Sequence, residues 1–165
     1  MPACAPAHPA PLPPDGWTPG HDAVSTAPRV SGILETSLYV EDLHRSRDFY
    51  QRLFGFEQYM CDARMCALGI PGEQVLLLFR HGMTDDPAPG PERNGFIPPH
   101  HGRGAVHLCF AIPYGELAAW EAHLTRSGIE IESRLHWPRG GTSLYFRDPD
   151  GHSLEVATPG LWPNR

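Results

Sequence analysis

The stretch that decides the fold is YFRDPDGHSLEV, residues 145–156. Two short apolar runs with a period of two flank the turn DPDG at residues 148–151. Because proline fixes φ, glycine tolerates positive φ and aspartate caps its own backbone, this stretch predicts a β-hairpin. On its second strand Leu154 and Val156 point to one face and Glu155 points to the other. A carboxylate therefore stands alone on the face opposite the predicted core.

The composition is that of one ordinary globular domain. The chain has 165 residues, of which 41% are hydrophobic, and this is enough to build one core. Its net charge of −6 arises without long charged runs, so neither nucleic acid nor an anionic membrane is a favoured partner. No apolar run approaches the roughly 18 residues of a membrane span, and the first residues do not resemble a secretory signal. We therefore expect a cytoplasmic protein.

The cysteines do not form a disulfide pattern. There are four, and no CxxC pair occurs, which is too few for a disulfide scaffold in a chain of this length. We expect reduced thiols at Cys4, Cys61, Cys66 and Cys109.

Proline and glycine divide the chain into segments. The start is rich in proline and alanine, with few large apolar side chains, and it cannot offset the entropy of ordering. The predicted segments are a disordered arm at 1–30, a single domain at 31–160 and a tail at 161–165. The domain comprises module one at about 31–80, a loop at 81–104 and module two at about 105–158.

Module one has the pattern β-α-β-β-β. The first run predicts a strand with Leu34, Leu38 and Val40 on its core face. A short amphipathic helix follows, between the N-cap candidate Asp42 and the stop signal Gly55. The predicted strands of this module are 33–40, 56–59, 65–68 and 75–79.

Module two repeats this order, which indicates an internal duplication. Its predicted strands are 105–112, 129–133, 142–146 and 153–157, with a helix at 115–127. Overlaying the modules sets Glu35 against His107, and Leu76 against Glu155.

Three side chains that can bind a metal share one property. Glu35, His107 and Glu155 all lie on the face of their strand that the helix does not cover. If the modules pair into one curved sheet, these faces line its cavity. Two carboxylates and one imidazole suit one divalent ion of Fe, Mn, Ni, Co or Zn, with positions left for water or substrate. Taken singly, each side chain has packing or solvent exposure as its commoner role.

Residues 38–57, LYVEDLHRSRDFYQRLFGFE, together with VHLCFAI at 106–112 and the closing hairpin, resemble the vicinal oxygen chelate superfamily. This family includes glyoxalases, bleomycin-resistance proteins and extradiol dioxygenases. The resemblance implies an α+β fold, with two βαβββ modules forming a cupped mixed sheet and helices on its outer face. It also implies a homodimer and metal ligands at Glu35, His107 and Glu155. The family's fourth ligand position falls on Leu76, which cannot bind a metal.

Two departures from the family pattern bear on the chemistry. Many members carry histidine where this chain has Glu35, so the two-histidine, one-carboxylate set of iron dioxygenases is not reproduced. Leu76 also removes the carboxylate that glyoxalase-type isomerases use as a second base. If proton abstraction occurs, the catalytic base is then Glu35 or Glu155, or else a residue that does not bind the metal.

Other side chains are expected on the cavity face. Parity places Ser143 and Tyr145 there, and the overlay adds Arg64 and Cys66 from module one. Tyr145 could donate a proton to a substrate oxyanion, and Arg64 could bind a carboxylate. His101 lies in a loop that could close over the site. Packing or surface exposure is the alternative for each.

The sequence thus predicts a metal-dependent enzyme of the lyase or isomerase type. Its substrate would be a small oxygenated molecule whose enolate or oxyanion is stabilised by the ion. One alternative is an Fe(II) dioxygenase, and another is a non-catalytic drug-binding protein of the bleomycin-resistance type. Transfer of a thiol to an epoxide, as in fosfomycin resistance, is a narrower variant.

Overall fold

A computed structural model describes residues 28–90, 92 and 94–163. Most of the predicted arm, residues 1–27, lies outside this range, as do residues 164–165 of the tail. From Ile33 onward the described residues form one compact unit. Within the described part of the chain, no helix has the length and apolar character needed to cross a membrane.

The unit contains the two predicted modules. Module one consists of β1 (Glu35–Val40), α1 (Leu43–Phe54), β2 (Glu57–Cys61), β3 (Met65–Ile70) and β4 (Gln74–Arg80). A short hairpin follows, β5 (Ala88–Pro89) and β6 (Phe96–Ile97). Module two consists of β7 (His107–Ala111), α2 (Leu117–Arg126), β8 (Ser133–His136), β9 (Thr142–Arg147) and β10 (Ser153–Ala157).

Each module forms its own four-stranded mixed sheet. The strand orders are β1-β4-β3-β2 and β7-β10-β9-β8. The first and fourth strands of each module run parallel, and the other pairs run antiparallel. The predicted α+β class and the duplication of βαβββ modules are confirmed.

The ends of α1 follow the predicted signals. The Asp42 carboxylate accepts hydrogen bonds from the backbone N–H groups of His44 and Arg45, at 2.9 and 3.0 Å. Gly55 ends the helix with a φ of 70°, which glycine adopts at little cost. Both boundaries are confirmed.

Two strand predictions need correction. Leu34 is predicted to face the core, but β1 begins at Glu35 and Leu34 is 70% exposed. The strand expected at 129–133 is found at Ser133–His136. The preceding residues close α2 instead, because Gly128 takes a positive φ and the Ile129 N–H donates to the Leu124 carbonyl.

The strand register also corrects the overlay of the modules. Glu35 pairs with Val75, and Leu77 lies two residues after Val75 on β4. In the same way His107 pairs with Ser153, and Glu155 lies two residues after Ser153 on β10. Leu76 is fully buried in the core. The counterpart of Glu155 is therefore Leu77, not Leu76, and it too is a leucine.

The cysteines of β2 and β3 differ from expectation. Cys61 and Cys66 lie directly opposite each other and are joined by a disulfide, so the prediction of reduced thiols is wrong for this pair. Cys66 is fully buried in the core, which contradicts its predicted place on the open face. Cys109 is a free thiol.

The hairpin turn at 148–151 attaches module two to α1. The Asp150 carboxylate, nearly buried, accepts hydrogen bonds from Glu41 N–H (2.9 Å), Arg45 Nη2 (2.9 Å) and Ser46 Oγ (2.6 Å). The Tyr50 hydroxyl donates to Asp148 at 2.8 Å. Four polar groups from one module are thus satisfied by two carboxylates of the other.

A buried histidine adds a further link. His152 Nδ1 accepts from the Val106 N–H at 3.2 Å, and its Nε2 lies 2.9 Å from the Tyr39 carbonyl. Since one ring nitrogen accepts, the other carries the proton and donates to that carbonyl. The neutral imidazole therefore ties β1 to the start of β10.

One hydrophobic core lies between the modules. Phe54 of α1 contacts Phe110 of β7 and Trp120 of α2, with ring centroids 4.5 and 5.3 Å apart. The helix-facing sides of both sheets share this core. The opposite side of each sheet, here called its open face, does not contribute to it.

We predict that Asp150→Asn lowers the free energy of unfolding by about 2 kcal/mol, because hydrogen bonds to a charged group are lost between the modules. Urea denaturation followed by circular dichroism measures this change. Asp48→Asn is the matched control, since the Asp48 side chain is about half exposed and forms its ion pair with its sequence neighbour Arg47, and it should cost less than about 0.5 kcal/mol. Equal losses in the two variants would contradict the role given to the turn.

Candidate functional site

The open face of the first sheet forms a groove of about 640 Å³. Glu35 lies towards one end, and Arg64, Phe79 and His100 lie towards the other. Apolar side chains of β3 and β4 form much of the floor, including Ala67, Val75 and Leu77. A groove of this size and apolar character is typical of a small-molecule site.

The open face of the second sheet carries a buried acid beside a histidine. Glu155 Oε2 lies 3.2 Å from His107 Nε2, and the side chains are 4% and 51% exposed. His107 Nδ1 lies 3.1 Å from the Ser153 carbonyl. A carbonyl can only accept, so Nδ1 carries a proton, and in the neutral ring Nε2 offers its lone pair to Glu155. Two acceptors at this distance need a proton or a cation between them.

The second oxygen of this carboxylate has no protein partner. Glu155 Oε1 is buried and has no hydrogen-bond partner among the described residues. A buried unsatisfied acceptor costs about 1–3 kcal/mol. The arrangement therefore does not serve stability, and it is typical of a group held for a ligand.

These two side chains fit a divalent metal ion. Ligands about 2.1 Å from one ion lie about 3.0 Å apart when their bonds are perpendicular, close to the 3.2 Å between His107 Nε2 and Glu155 Oε2. The hydrogen bond from Nδ1 to a backbone carbonyl is the outer support that metal-binding histidines normally have.

Glu35, the third predicted ligand, is not brought to this pair within one chain. The Tyr39 carbonyl contacts His152 of module two, and Tyr39 lies four positions and about 13 Å from Glu35 along β1. In residues 28–90, 92 and 94–163, no group of three or more His, Cys, Asp or Glu side chains is placed to hold an ion. Within one chain, Glu35 and the pair of His107 and Glu155 therefore lie on different open faces.

Tyr145 and Cys109 surround the buried acid. The Tyr145 ring stacks on His107 with centroids 6.1 Å apart. Burial, and then the charge of Glu155, raise the pKa of the Tyr145 phenol, so it is a neutral hydroxyl at physiological pH. The same two causes raise the pKa of the Cys109 thiol to about 12, which makes it a poor nucleophile.

Ser143 is covered by a side chain that the sequence analysis missed. It is fully buried, and its hydroxyl accepts a hydrogen bond from Trp137 Nε1 at 2.8 Å. The available signal was the aromatic residue directly before the turn PRGG at 138–141. A substrate reaches Ser143 only if Trp137 moves.

The two neighbouring histidines of the 81–104 loop lie in different places. His100 lines the groove and packs edge-on against Phe79 at 4.7 Å. The predicted substrate residue His101 instead lines a separate polar pocket of about 380 Å³, together with Glu41 and Asp85.

Comparison with known proteins gives a family and several relatives. The sequence model of the Glyoxalase/Bleomycin resistance protein/Dioxygenase superfamily matches residues 32–156. Metallothiol transferase FosB of Shouchella clausii is 26% identical over 131 residues, which span 78% of this chain and 81% of the relative. Lactoylglutathione lyase of Pseudomonas putida is 27% identical over 147 residues, which span 75% and 83%.

The fold is similar to that of a solved structure. The crystal structure of lactoylglutathione lyase from Agrobacterium tumefaciens has a TM-score of 0.73 and 34% sequence identity to this chain. The similarity covers 81% of this chain and 98% of that one.

We predict that Glu155→Gln raises the free energy of unfolding of chelator-treated protein by roughly 1 kcal/mol, because it removes a buried charge with an unsatisfied oxygen. Urea denaturation in the presence of EDTA measures the effect. Glu130→Gln, at an exposed position, is the control and should change little. A clear loss of stability in Glu155→Gln would mean that the carboxylate serves the fold.

Proposed function

Because the chain belongs to the Glyoxalase/Bleomycin resistance protein/Dioxygenase superfamily, we propose that it is a divalent-metal-dependent enzyme acting on a small oxygenated molecule. The observation that carries this proposal is the buried Glu155 carboxylate, with one oxygen facing His107 and the other without a partner. The reaction class is a lyase or isomerase in which an enolate or oxyanion develops.

The metal ligands are Glu35, His107 and Glu155. When bound, the ion supplies Lewis-acid stabilisation of negative charge on a substrate oxygen. One imidazole and two carboxylates suit Mn, Fe, Ni, Co or Zn, and three protein ligands leave positions for the substrate.

A homodimer would complete the site. Glu35 lies on β1 and His107 on β7, and each of these strands is an edge of its sheet. An edge strand has one side free for pairing with another chain. If β1 of one chain approaches β7 of its partner, Glu35 joins the His107 and Glu155 pair.

Residues of the chain itself stabilise the oxyanion and abstract the proton. The Tyr145 hydroxyl, kept neutral, donates a hydrogen bond to the developing oxyanion. Leu77 offers no carboxylate at the position that corresponds to Glu155. Proton abstraction therefore falls to a carboxylate oxygen of Glu35 or Glu155.

Thiol transfer is the second candidate function. One relative is a metallothiol transferase, and opening an epoxide with a thiol needs no carboxylate at Leu77. In that reaction the S–C bond forms as the epoxide C–O bond breaks, and the alkoxide takes a proton. Consumption of a thiol only when an epoxide is present would favour this candidate over an isomerase.

We predict close to one equivalent of divalent metal per chain in purified protein. Elemental analysis by mass spectrometry should find the metal in wild type and in the exposed control Glu130→Gln. His107→Ala and Glu155→Gln should each lower metal affinity at least about tenfold, since even loss of a group that only supports a ligand costs this much. Retention of the metal by both ligand variants would refute the assignment.

We also predict that two defective variants restore metal binding when mixed. Glu35→Gln and Glu155→Gln chains, unfolded and refolded together, give half heterodimers, each with one intact site out of two. About one quarter of the wild-type metal content should return. No recovery in verified heterodimers would mean that each site is built within one chain.

A further inference from the structure

Arg64 occupies a fixed position in the turn between β2 and β3. The Asp62 carboxylate accepts hydrogen bonds from the backbone N–H groups of Arg64 (2.7 Å) and Met65 (2.9 Å). The Arg80 N–H donates to the Arg64 carbonyl at 2.9 Å. The backbone of this residue is therefore held from both sides, and its side chain lines the groove.

The guanidinium of Arg64 is only partly satisfied. Its Nε donates to the Met83 carbonyl at 3.1 Å, and the group lies 5.8 Å from the centroid of the Phe79 ring. Within the described part of the chain, neither Nη atom has a hydrogen-bond partner and no carboxylate forms an ion pair with the group. A half-buried cation beside apolar side chains favours an anionic ligand.

A second donor stands beside the same ring. The Tyr39 hydroxyl lies 2.5 Å from His100 Nδ1. With the hydroxyl as donor, His100 Nε2 carries the ring proton. Arg64 and His100 both pack on Phe79, so one end of the groove offers hydrogen-bond donors and positive charge.

The other end of the groove is acidic, and the two ends are well separated. Glu35 pairs with Val75, which lies four residues before Phe79 on β4, or about 13 Å along the strand. Leu77 and Ala67 line the floor between them. A molecule spanning the groove therefore meets a cation, an apolar floor and then the metal ligand.

We propose that the substrate is an elongated organic acid whose carboxylate binds Arg64 and whose reacting oxygens lie at the Glu35 end. The fork of the guanidinium matches a carboxylate with two hydrogen bonds. In the metal-free protein, the negative charge of Glu35 disfavours the reverse orientation. The position of the reacting end rests on the proposed function, whereas the carboxylate site rests on Arg64 alone.

Isothermal titration with octanoate and its methyl ester tests the carboxylate site. On the full-length protein in EDTA, octanoate should bind at least about tenfold more tightly than methyl octanoate, as expected of a charge-assisted bond. Arg64→Leu should abolish this difference, and Arg64→Lys should retain part of it. Arg52→Leu, at an exposed position on α1, should leave it unchanged.

Equal binding of acid and ester to wild type would overturn the proposal, and so would a difference that survives in Arg64→Leu. The titration with octanoate is done without metal, so its result does not depend on whether the proposed metal-dependent function is correct.

The proposed length of the substrate is tested by measuring the affinity of metal-loaded protein for the monohydroxamates of succinic, adipic, suberic and sebacic acids. Affinity should be greatest for the longer members, and Arg64→Leu should remove that advantage. Tightest binding of the succinic compound would overturn the elongated substrate. If no hydroxamate gains affinity from added metal, it is the proposed function that fails.

Discussion

The structure depends on the docking of the turn at 148–151 against α1. Asp150 and Asp148 are nearly buried carboxylates, and such charges are tolerated only when hydrogen bonds satisfy them. Their donors come from the end of β1 and from α1. Since the same turn fixes the register of β9 and β10, one contact sets both the orientation of the modules and the face on which Glu155 stands.

This docking also explains why Glu35 lies apart from the pair of His107 and Glu155 in one chain. It brings the C-terminal end of β1 to the start of β10, with Tyr39 against His152. Glu35, at the other end of β1, is carried away from His107. The helices and the helix-facing sides of the sheets pack into one core. Both open faces therefore remain available to another molecule. Glu155, by contrast, is buried with one oxygen that has no partner among the described residues.

Much of the fold could be predicted because its signals are local. The Asp42 cap, the Gly55 stop and the DPDG turn depend on neighbouring residues alone, and these were found where expected.

The position of Leu77 could not be predicted in this way, since it depends on parallel pairing between strands about 40 residues apart. An error of one residue changes the face of a strand, and this is how Leu76 and Cys66 were misplaced. The separation of Glu35 from His107 depends on how the two modules pack against each other, which the sequence pattern does not predict.

The apolar floor of the groove gives a physical reason for a second chain. Val75, Leu77 and Ala67 line the open face of the first sheet, and the nearby Tyr59, Met60 and Ile97 are among the exposed large hydrophobic residues. Covering such a face with a partner's sheet removes apolar area from water. It also lowers the local dielectric constant, which strengthens every charge interaction inside. Arg64 and Glu155, only partly satisfied in one chain, would then act most strongly on a ligand in the closed groove.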